Sequence, residues 1–575
     1  MRYLRMLTNS ALAGAYAAAF VAVLVLQLNP ALPLVPRVLA PLYGVMAAFY
    51  GLHLTVVFYL VVLARQAFAQ EVLSPGWLSL RLLAWFGTAV CGVAALLMWL
   101  NVATFETVLD EVAARRMAAG AGATAVCALL LLVIAVVHYS FGRRGSRVGG
   151  TLFALTVVAS LAFPLVARGP AAETDVAAPR RTAVDLPPVG AAPGRLHIVL
   201  LDGASLEYIT LATAEGRLPN FGRMLDGGAS MHLETIRPTQ PGPVWAAALT
   251  GKYPPRNGVR SAARYGFGAG RVAIELLPDL CFAHALLHLG LLEEWPHDAA
   301  ALRARPLWEV LSAVGVRAGF VGVPLSSPVS PVDGYLVSDR IHLANRAALP
   351  AAQQVDVFPA DAFSRDPLAA LSDGFASGAA TTGAPGLEPT ARDSWYVAVA
   401  RALETTFSPV VTVLRLETLD VAGHYFLRYA QPRAFGDVSD EERRRYGPVL
   451  DQHYAFVDAH LGVLIDRLGP DDVLMVVSGF GMEPVSLAKR LLARVLGEPR
   501  HTGTHERGPD GFLLAYGALV APGRLPVGTI VDVAPTVLYY LGLPVGGDMD
   551  GYARTDAFRR AFTVDRPITF IRSYD

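Results

Sequence analysis

An aspartate and a histidine four residues apart, Asp420 and His424, follow an apolar run over residues 410–416. A carboxylate oxygen and an imidazole nitrogen both ligate a borderline cation such as zinc, and this spacing lets them reach one ion. Such a pair is common by chance, so a third ligand is required. The chain offers His505, in the glycine-rich turn Gly503-Thr504-His505-Glu506. A further carboxylate, Asp202, stands directly after the apolar run at 196–201. The chemistry of such a centre is polarisation of an ester oxygen or activation of water. A second combination, Cys281, His284 and His288, has spacings of three and four that would put all three on one helical face. Its surroundings, residues 272–295, are Leu-rich and end in Glu293-Glu294. An amphipathic core or interfacial helix, packing toward a bilayer or a membrane anchor and giving a lipid substrate a path, accounts for them without metal.

Holding these ligands together takes strands whose ends meet on one edge. Residues 196–201, 318–323, 410–416 and 473–478 are short apolar runs that read as buried strands. Helical patterns over 219–227, 307–314 and 446–468 alternate with them. That alternation predicts an α/β domain with a mostly parallel sheet covered by helices on both faces. In such sheets ligands sit at the carboxyl ends of the strands, where Asp202 and Asp420 fall.

The first third of the chain is different. The whole is 53% hydrophobic with a mean hydropathy of +0.42, and the excess lies in five apolar segments near 9–29, 39–64, 79–100, 117–138 and 150–167. Each approaches the roughly 20 residues that cross a bilayer as a helix. The first lacks the cleavage pattern of a signal peptide, and four more spans follow it. Arg2 and Arg5, Arg65 and Arg81, and Arg143, Arg144 and Arg147 mark cytoplasmic segments. The loop with Arg115 and Arg116 is mixed, because it also holds Glu106, Asp110 and Glu111. The N-terminus is therefore expected in the cytoplasm and the C-terminal domain outside, in a periplasmic or extracellular space. Ionisable residues are scarce within the spans, which argues for an anchor and against a transporter.

The expected organisation is a transmembrane helical region over 1–167, a Pro- and Ala-rich extracytoplasmic linker over 168–194, and an α/β domain over 195–575. Cys91 and Cys127 fall in predicted spans, which leaves Cys281 alone and allows no disulfide framework outside. Net charge is zero and only Lys252 and Lys489 are lysines. Nucleic acid is not an expected partner; membrane lipids are.

Several stretches, kept in one order, resemble the type I phosphodiesterase/nucleotide pyrophosphatase branch of the alkaline phosphatase superfamily. They are Leu201-Asp202-Gly203, Leu218-Pro219-Asn220-Phe221, Pro243-Val244-Trp245 running to Thr250-Gly251-Lys252, Pro306-Leu307-Trp308-Glu309, Asp420-x-x-x-His424, Gly503-x-His505 and Val531-Asp532-Val533-Ala534-Pro535-Thr536. The resemblance spans about residues 195 to 555 and implies two metal ions, usually zinc, with a Thr or Ser nucleophile activated by one of them. It assigns Asp420, His424 and His505 to one ion. It assigns Asp202, the nucleophile and the Asp-His of a Ser-Asp-His-Gly motif to the other.

The chain departs from the pattern at that second ion. The motif reads Ser478-Gly479-Phe480-Gly481-Met482, and Pro241 stands at the nucleophile position nine residues before Thr250. Neither glycine, phenylalanine nor proline has a side-chain ligand atom. One divalent ion, zinc, is expected rather than two. Thr239, two residues before Pro241, is the substitute nucleophile, with His501, Glu483, Glu417 and Glu506 as further polar groups near the retained ligands. The expected function is a membrane-anchored extracytoplasmic phosphodiesterase-like hydrolase or phosphotransferase, acting on small-molecule, lipid or envelope phosphoesters. The alternative is an inactive relative serving as a scaffold for a ligand or a partner protein.

Overall fold

The computed structural model describes residues 2–68, 77–141, 147–171, 192–267, 272–342, 356–362, 391–487, 489–491 and 501–575. The chain divides into two compact units, one of residues Met1–Val176 with Ala263–Pro296, the other of Ala177–Ala262 with His297–Asp575. Most of the linker expected at 168–194 lies outside the described residues.

Five helices of the first unit are long and apolar enough to cross a membrane: Arg2–Leu28, Pro36–Phe68, Leu80–Thr104, Glu111–Val137 and Val148–Arg168. Lipid supplies no hydrophobic drive between helices, so close packing and interhelical hydrogen bonds must hold them. Gly14 is one such contact, since a Cβ there would lie 2.5 Å from the Gly51 carbonyl oxygen and 2.3 Å from Thr55 Oγ1. Tyr16 and Ser160 share a hydroxyl hydrogen bond of 2.6 Å.

Residues 263–296 belong to this helical unit. They form a three-stranded antiparallel sheet, with Ala263–Phe267 between Val272–Ile274 and Glu293–Pro296. Asn29 on the first loop donates to the Leu276 carbonyl at 2.8 Å and accepts from the amides of Glu275 and Leu276. Tyr50 donates to the Cys281 carbonyl at 2.8 Å, and Asn101 accepts from the Asp279 amide at 2.8 Å. The segment therefore does pack on the apolar helices, but not as the expected helix. Its only helical turns among the described residues include Ala285–His288. Pro278 lacks an amide hydrogen, and Leu280 and Phe282 adopt left-handed φ of 61° and 54°, which ends any helix there. Cys281 is buried while His284 and His288 are exposed, so the three do not share a face.

The second unit is built on one sheet. Its main strands are β1 Leu196–Leu201, β2 Ala229–Glu234, β3 Ala318–Val323, β4 Gly334–Ser338, β5 Val411–Leu416, β6 Val473–Phe480 and β7 Asp510–Tyr516. Across the sheet they run β2-β7-β6-β1-β5-β3-β4, with short strands at the rims. β6, β1, β5, β3 and β4 are parallel, while β7 is antiparallel to both neighbours. Side chains alternate across the sheet. Val199, Leu201, Leu414 and Leu416 pack with Phe221, Tyr396, Leu403 and Leu461 of the helices Pro219–Gly227, Ala391–Phe407 and Asp440–Ile465. Helices Pro241–Thr250 and Leu307–Ala313 lie against β6 and β3. The mostly parallel sheet covered by helices is the expected α/β architecture.

Candidate metal centre

β1 and β5 are neighbours in register, Leu201 opposite Leu416, so their carboxyl ends deliver Asp202 and the start of the helix Thr418–Ala430 to one edge. A remote carboxylate fixes that helix start. Asp393, buried on the helix Ala391–Phe407, accepts from the amides of Glu417 at 3.1 Å and Thr418 at 3.2 Å, and from the Thr418 hydroxyl. These are amides that an isolated helix leaves unpaired. Burial pushes the Asp393 carboxyl up to about 7, against the pull of those donors.

One turn into the helix, Asp420 and His424 meet His505. A ligand atom from each lies within 4.8 Å of the other two. His424 Nε2 is 3.5 Å from Asp420 Oδ2. Both imidazoles are held from behind: His424 Nδ1 lies 2.8 Å from the Gly503 carbonyl oxygen, and His505 Nδ1 lies 2.8 Å from that of Thr239. A carbonyl accepts only, so Nδ1 carries a proton in each ring, and Nε2 is the nitrogen that offers a lone pair whenever the ring is neutral. Asp420 Oδ1 is buried with no hydrogen-bond partner among the described residues. Burial disfavours the Asp420 charge, but the hydrogen bond of His424 and the charges of His505 and His424 outweigh it and hold the carboxyl below its usual range. His424 is displaced the other way: burial lowers it, and Asp420 more than restores it. One acid with an orphaned carboxylate oxygen and two oriented imidazoles are a donor set a zinc ion takes.

Gly203 makes this approach possible. Its φ is +72°, and a Cβ there would sit 2.9 Å from Asp420 Cα and 3.0 Å from Asp420 Oδ1. Gly503 plays the same part on the other side, where a Cβ would lie 2.4 Å from the Gly423 carbonyl oxygen.

Asp202 is outside this cluster. The carboxylate expected to face a second metal faces a guanidinium. Arg415, on β5, donates through Nε to Asp202 Oδ2 at 3.0 Å and again through Nη2, while Trp245 Nε1 donates to Oδ1 at 2.7 Å. Arg415 Nη1 also reaches the Gly322 carbonyl and Glu417 Oε2, both at 3.2 Å, with Asp339 at 3.8 Å. Burial alone would discourage its charge, but Asp202, Glu417 and Asp339 hold the guanidinium protonated. The rest of the second position is apolar. Phe480 is fully buried with its ring 4.9 Å from that of His505, and a Cβ at Gly479 would collide with Val244 at 2.4 Å.

The other polar groups have separate roles. Glu417 pairs with Arg392 and Arg415, Glu506 pairs with Lys489, and Glu483 lies opposite Thr504 in a short hairpin. His501 is exposed, its ring 5.5 Å from that of His424. Thr239 is wholly buried; its carbonyl orients His505, and its Oγ1 has no hydrogen-bond partner among the described residues. Sequence reading missed Arg415 and Trp245. The available signal was one arginine inside an otherwise apolar strand, a position that demands a buried counter-charge.

A mostly parallel sheet with an Asp-His-His cluster at its carboxyl edge and an aspartate at the end of its first strand is the arrangement of an alkaline phosphatase-like domain. The chain belongs to the type I phosphodiesterase/nucleotide pyrophosphatase family, whose model matches residues 196–519. Among solved structures it is similar to murine ectonucleotide pyrophosphatase/phosphodiesterase 5, an inactive form in complex with AMP. The two are 14% identical over 64% of this chain and 100% of that one, with a TM-score of 0.40. No curated protein matches the chain.

Proposed function

We propose that the protein is a membrane-anchored phosphoester hydrolase whose family domain works with one divalent ion, zinc, on Asp420, His424 and His505. The observation that carries this reading is the pair of Nδ1–carbonyl hydrogen bonds on two imidazoles clustered with one carboxylate, which leaves Nε2 of each ring as the atom for a cation. An ion held there would supply Lewis-acid polarisation of a phosphoryl oxygen and lower the pKa of a water. The chain itself orients the ligands through Gly503 and Thr239. It also replaces the second cation of the family pattern by the fixed charge of Arg415, which already neutralises Asp202. Pro241 has no hydroxyl, and Thr239 would have to serve if a side-chain nucleophile is used. The arginines beside the apolar helices support an orientation with the N-terminus in the cytoplasm and the family domain outside it. Its substrates would then be phosphoesters of lipids or of the envelope.

A second reading, an inactive scaffold that keeps one metal and binds a phosphorylated ligand or a protein partner, is favoured by the filling of the second position with Trp245, Arg415 and Phe480. One experiment separates them. Zinc per chain is measured by elemental analysis on the full protein in detergent, alongside turnover of bis(4-nitrophenyl) phosphate, for the wild type and His505→Ala. One zinc with turnover, both lost in the variant, supports the hydrolase. One zinc without turnover on this or lipid phosphodiesters supports the scaffold. No zinc in the wild type refutes both.

A further inference from the structure

The helical unit contains a cavity of about 170 Å3 lined by Gln27, Pro30, Asp110, Ala113, Arg116 and Arg168, among others. A single water needs roughly 10–15 Å3 of such space, whereas sites for drug-sized ligands run to about 300 Å3 and more. The cavity is suited to a small polar group. Gln27 lies at the end of the first span, Asp110 and Arg116 flank the start of the fourth, and Arg168 closes the fifth. All four therefore lie at one boundary of the spans, at head-group depth if the helices cross a bilayer.

Arg168 is 3% exposed. Its Nε donates to the Leu26 carbonyl at 2.7 Å, and its Nη2 donates to those of Asn29 and Pro30, both at 3.0 Å, and of Leu32. Leu26 carries one of the carbonyls left over where the first helix ends, and Asn29, Pro30 and Leu32 lie in the loop that follows. Nη1 is buried and has no hydrogen-bond partner among the described residues. Arg116 Nη1 donates to the Arg168 backbone carbonyl at 3.4 Å. Gln27 donates from Nε2 to the Pro164 carbonyl at 3.3 Å, and its Oε1 is buried with no hydrogen-bond partner among the described residues. Asp110 Oδ1 accepts from the Ala113 amide at 2.8 Å. Two guanidiniums and one carboxylate thus line one cavity. A charge at membrane depth needs a counter-charge, and an orphaned donor needs an acceptor. Gln27 Oε1 and Asp110 supply acceptors beside them.

We propose that this cavity holds the head group of a membrane phospholipid. Its phosphate lies against Arg116 and Arg168, and its amine or hydroxyl donors lie toward Gln27 and Asp110. The inference does not rest on the hydrolase reading, because every residue in it belongs to the helical unit.

The test uses the full chain, reconstituted in nanodiscs of phosphatidylethanolamine and phosphatidylglycerol and released for native mass spectrometry. The expected result is one retained phospholipid per chain, with occupancy falling about tenfold or more in Arg116→Gln and in the cavity-filling Ala113→Phe. Both variants should keep the wild-type unfolding midpoint in lipid-free detergent. Arg168→Gln is not the variant of choice, because it also uncaps the first helix. Equal retention in the wild type and both variants overturns the proposal. So does a cavity that takes inorganic phosphate, added alone, while retaining no lipid.

Discussion

Arg415 is the residue whose removal tests the reading of the second position most directly. In Arg415→Met the strand keeps an apolar side chain of similar length, but Asp202, 1% exposed, loses two hydrogen bonds and its counter-ion. Asp339 loses its contact with the guanidinium as well, while Glu417 keeps Arg392. Breaking a buried pair from one side typically destabilises by about 3–5 kcal/mol, because the remaining charge is stranded. Asp202→Asn should be milder, at about 1.5–3 kcal/mol, the range for a hydrogen bond to a charged group. Arg415 then still has Glu417, and Asn can still accept from Trp245. In the double variant the stranded charge at 202 is gone, so the two losses should not add; a coupling of at least about 2 kcal/mol is expected. The assay is urea unfolding of the full chain in detergent, followed by tryptophan fluorescence, to which Trp245 beside Asp202 contributes. Additive losses, or an Arg415→Met that unfolds at the wild-type midpoint, would refute a guanidinium fixed on Asp202 as the local cation.

Three further outcomes are expected. Gly203→Ala puts a Cβ at a left-handed φ and 2.9 Å from Asp420 Cα. It should destabilise by about 1–3 kcal/mol and reduce zinc per chain more than an alanine at the open Gly216 does. Asp393 titrates near 7 when folded and at about 3.9 when unfolded, so between those values the native state binds the extra proton and stability falls as pH rises. Asp393→Asn should flatten that slope in unfolding midpoints measured from pH 4 to 7; an unchanged slope counts against the buried acid. Gly14→Val should separate the first and second spans, where a Cβ already meets the Gly51 carbonyl at 2.5 Å. The expected loss is a fall in the detergent-solubilised thermal midpoint that Gly44→Val, in open space, does not reproduce.

Much of this molecule is legible in its residues. β1, β3, β5 and β6 begin where their apolar runs begin, to within a residue, because strands buried on both faces leave few polar positions to blur the pattern. The five helices long and apolar enough to cross a membrane follow from the length and hydropathy of their segments. Asp420 and His424 could be paired by their spacing after an apolar strand, and His505 joins them through the Gly503-x-His505 motif of the family resemblance. Arg415 could not be paired with Asp202 from the sequence, because the partners are more than 200 positions apart and join only when β1 and β5 lie side by side. Residues 272–295 failed for another reason. Leucine density resembles a helix, while the backbone there is decided by Pro278 and by two residues at positive φ, which periodicity does not record.

The grouping of residues 263–296 with the helices has a practical consequence for anyone dissecting the protein. The polypeptide passes between the two units at three places, after Val176, after Ala262 and after Pro296. A protease cut between residues 176 and 192 would sever one of these and leave two intact. Conversely, a truncated gene beginning near residue 195 would encode the 263–296 excursion without Asn29, Tyr50 and Asn101, the side chains that terminate its backbone hydrogen bonds. Such a fragment carries buried apolar positions such as Leu276, Cys281 and Leu286 with nothing to cover them. Poor behaviour of the truncated protein would therefore reflect an orphaned excursion, and deletion of 263–296 is the cut to make first.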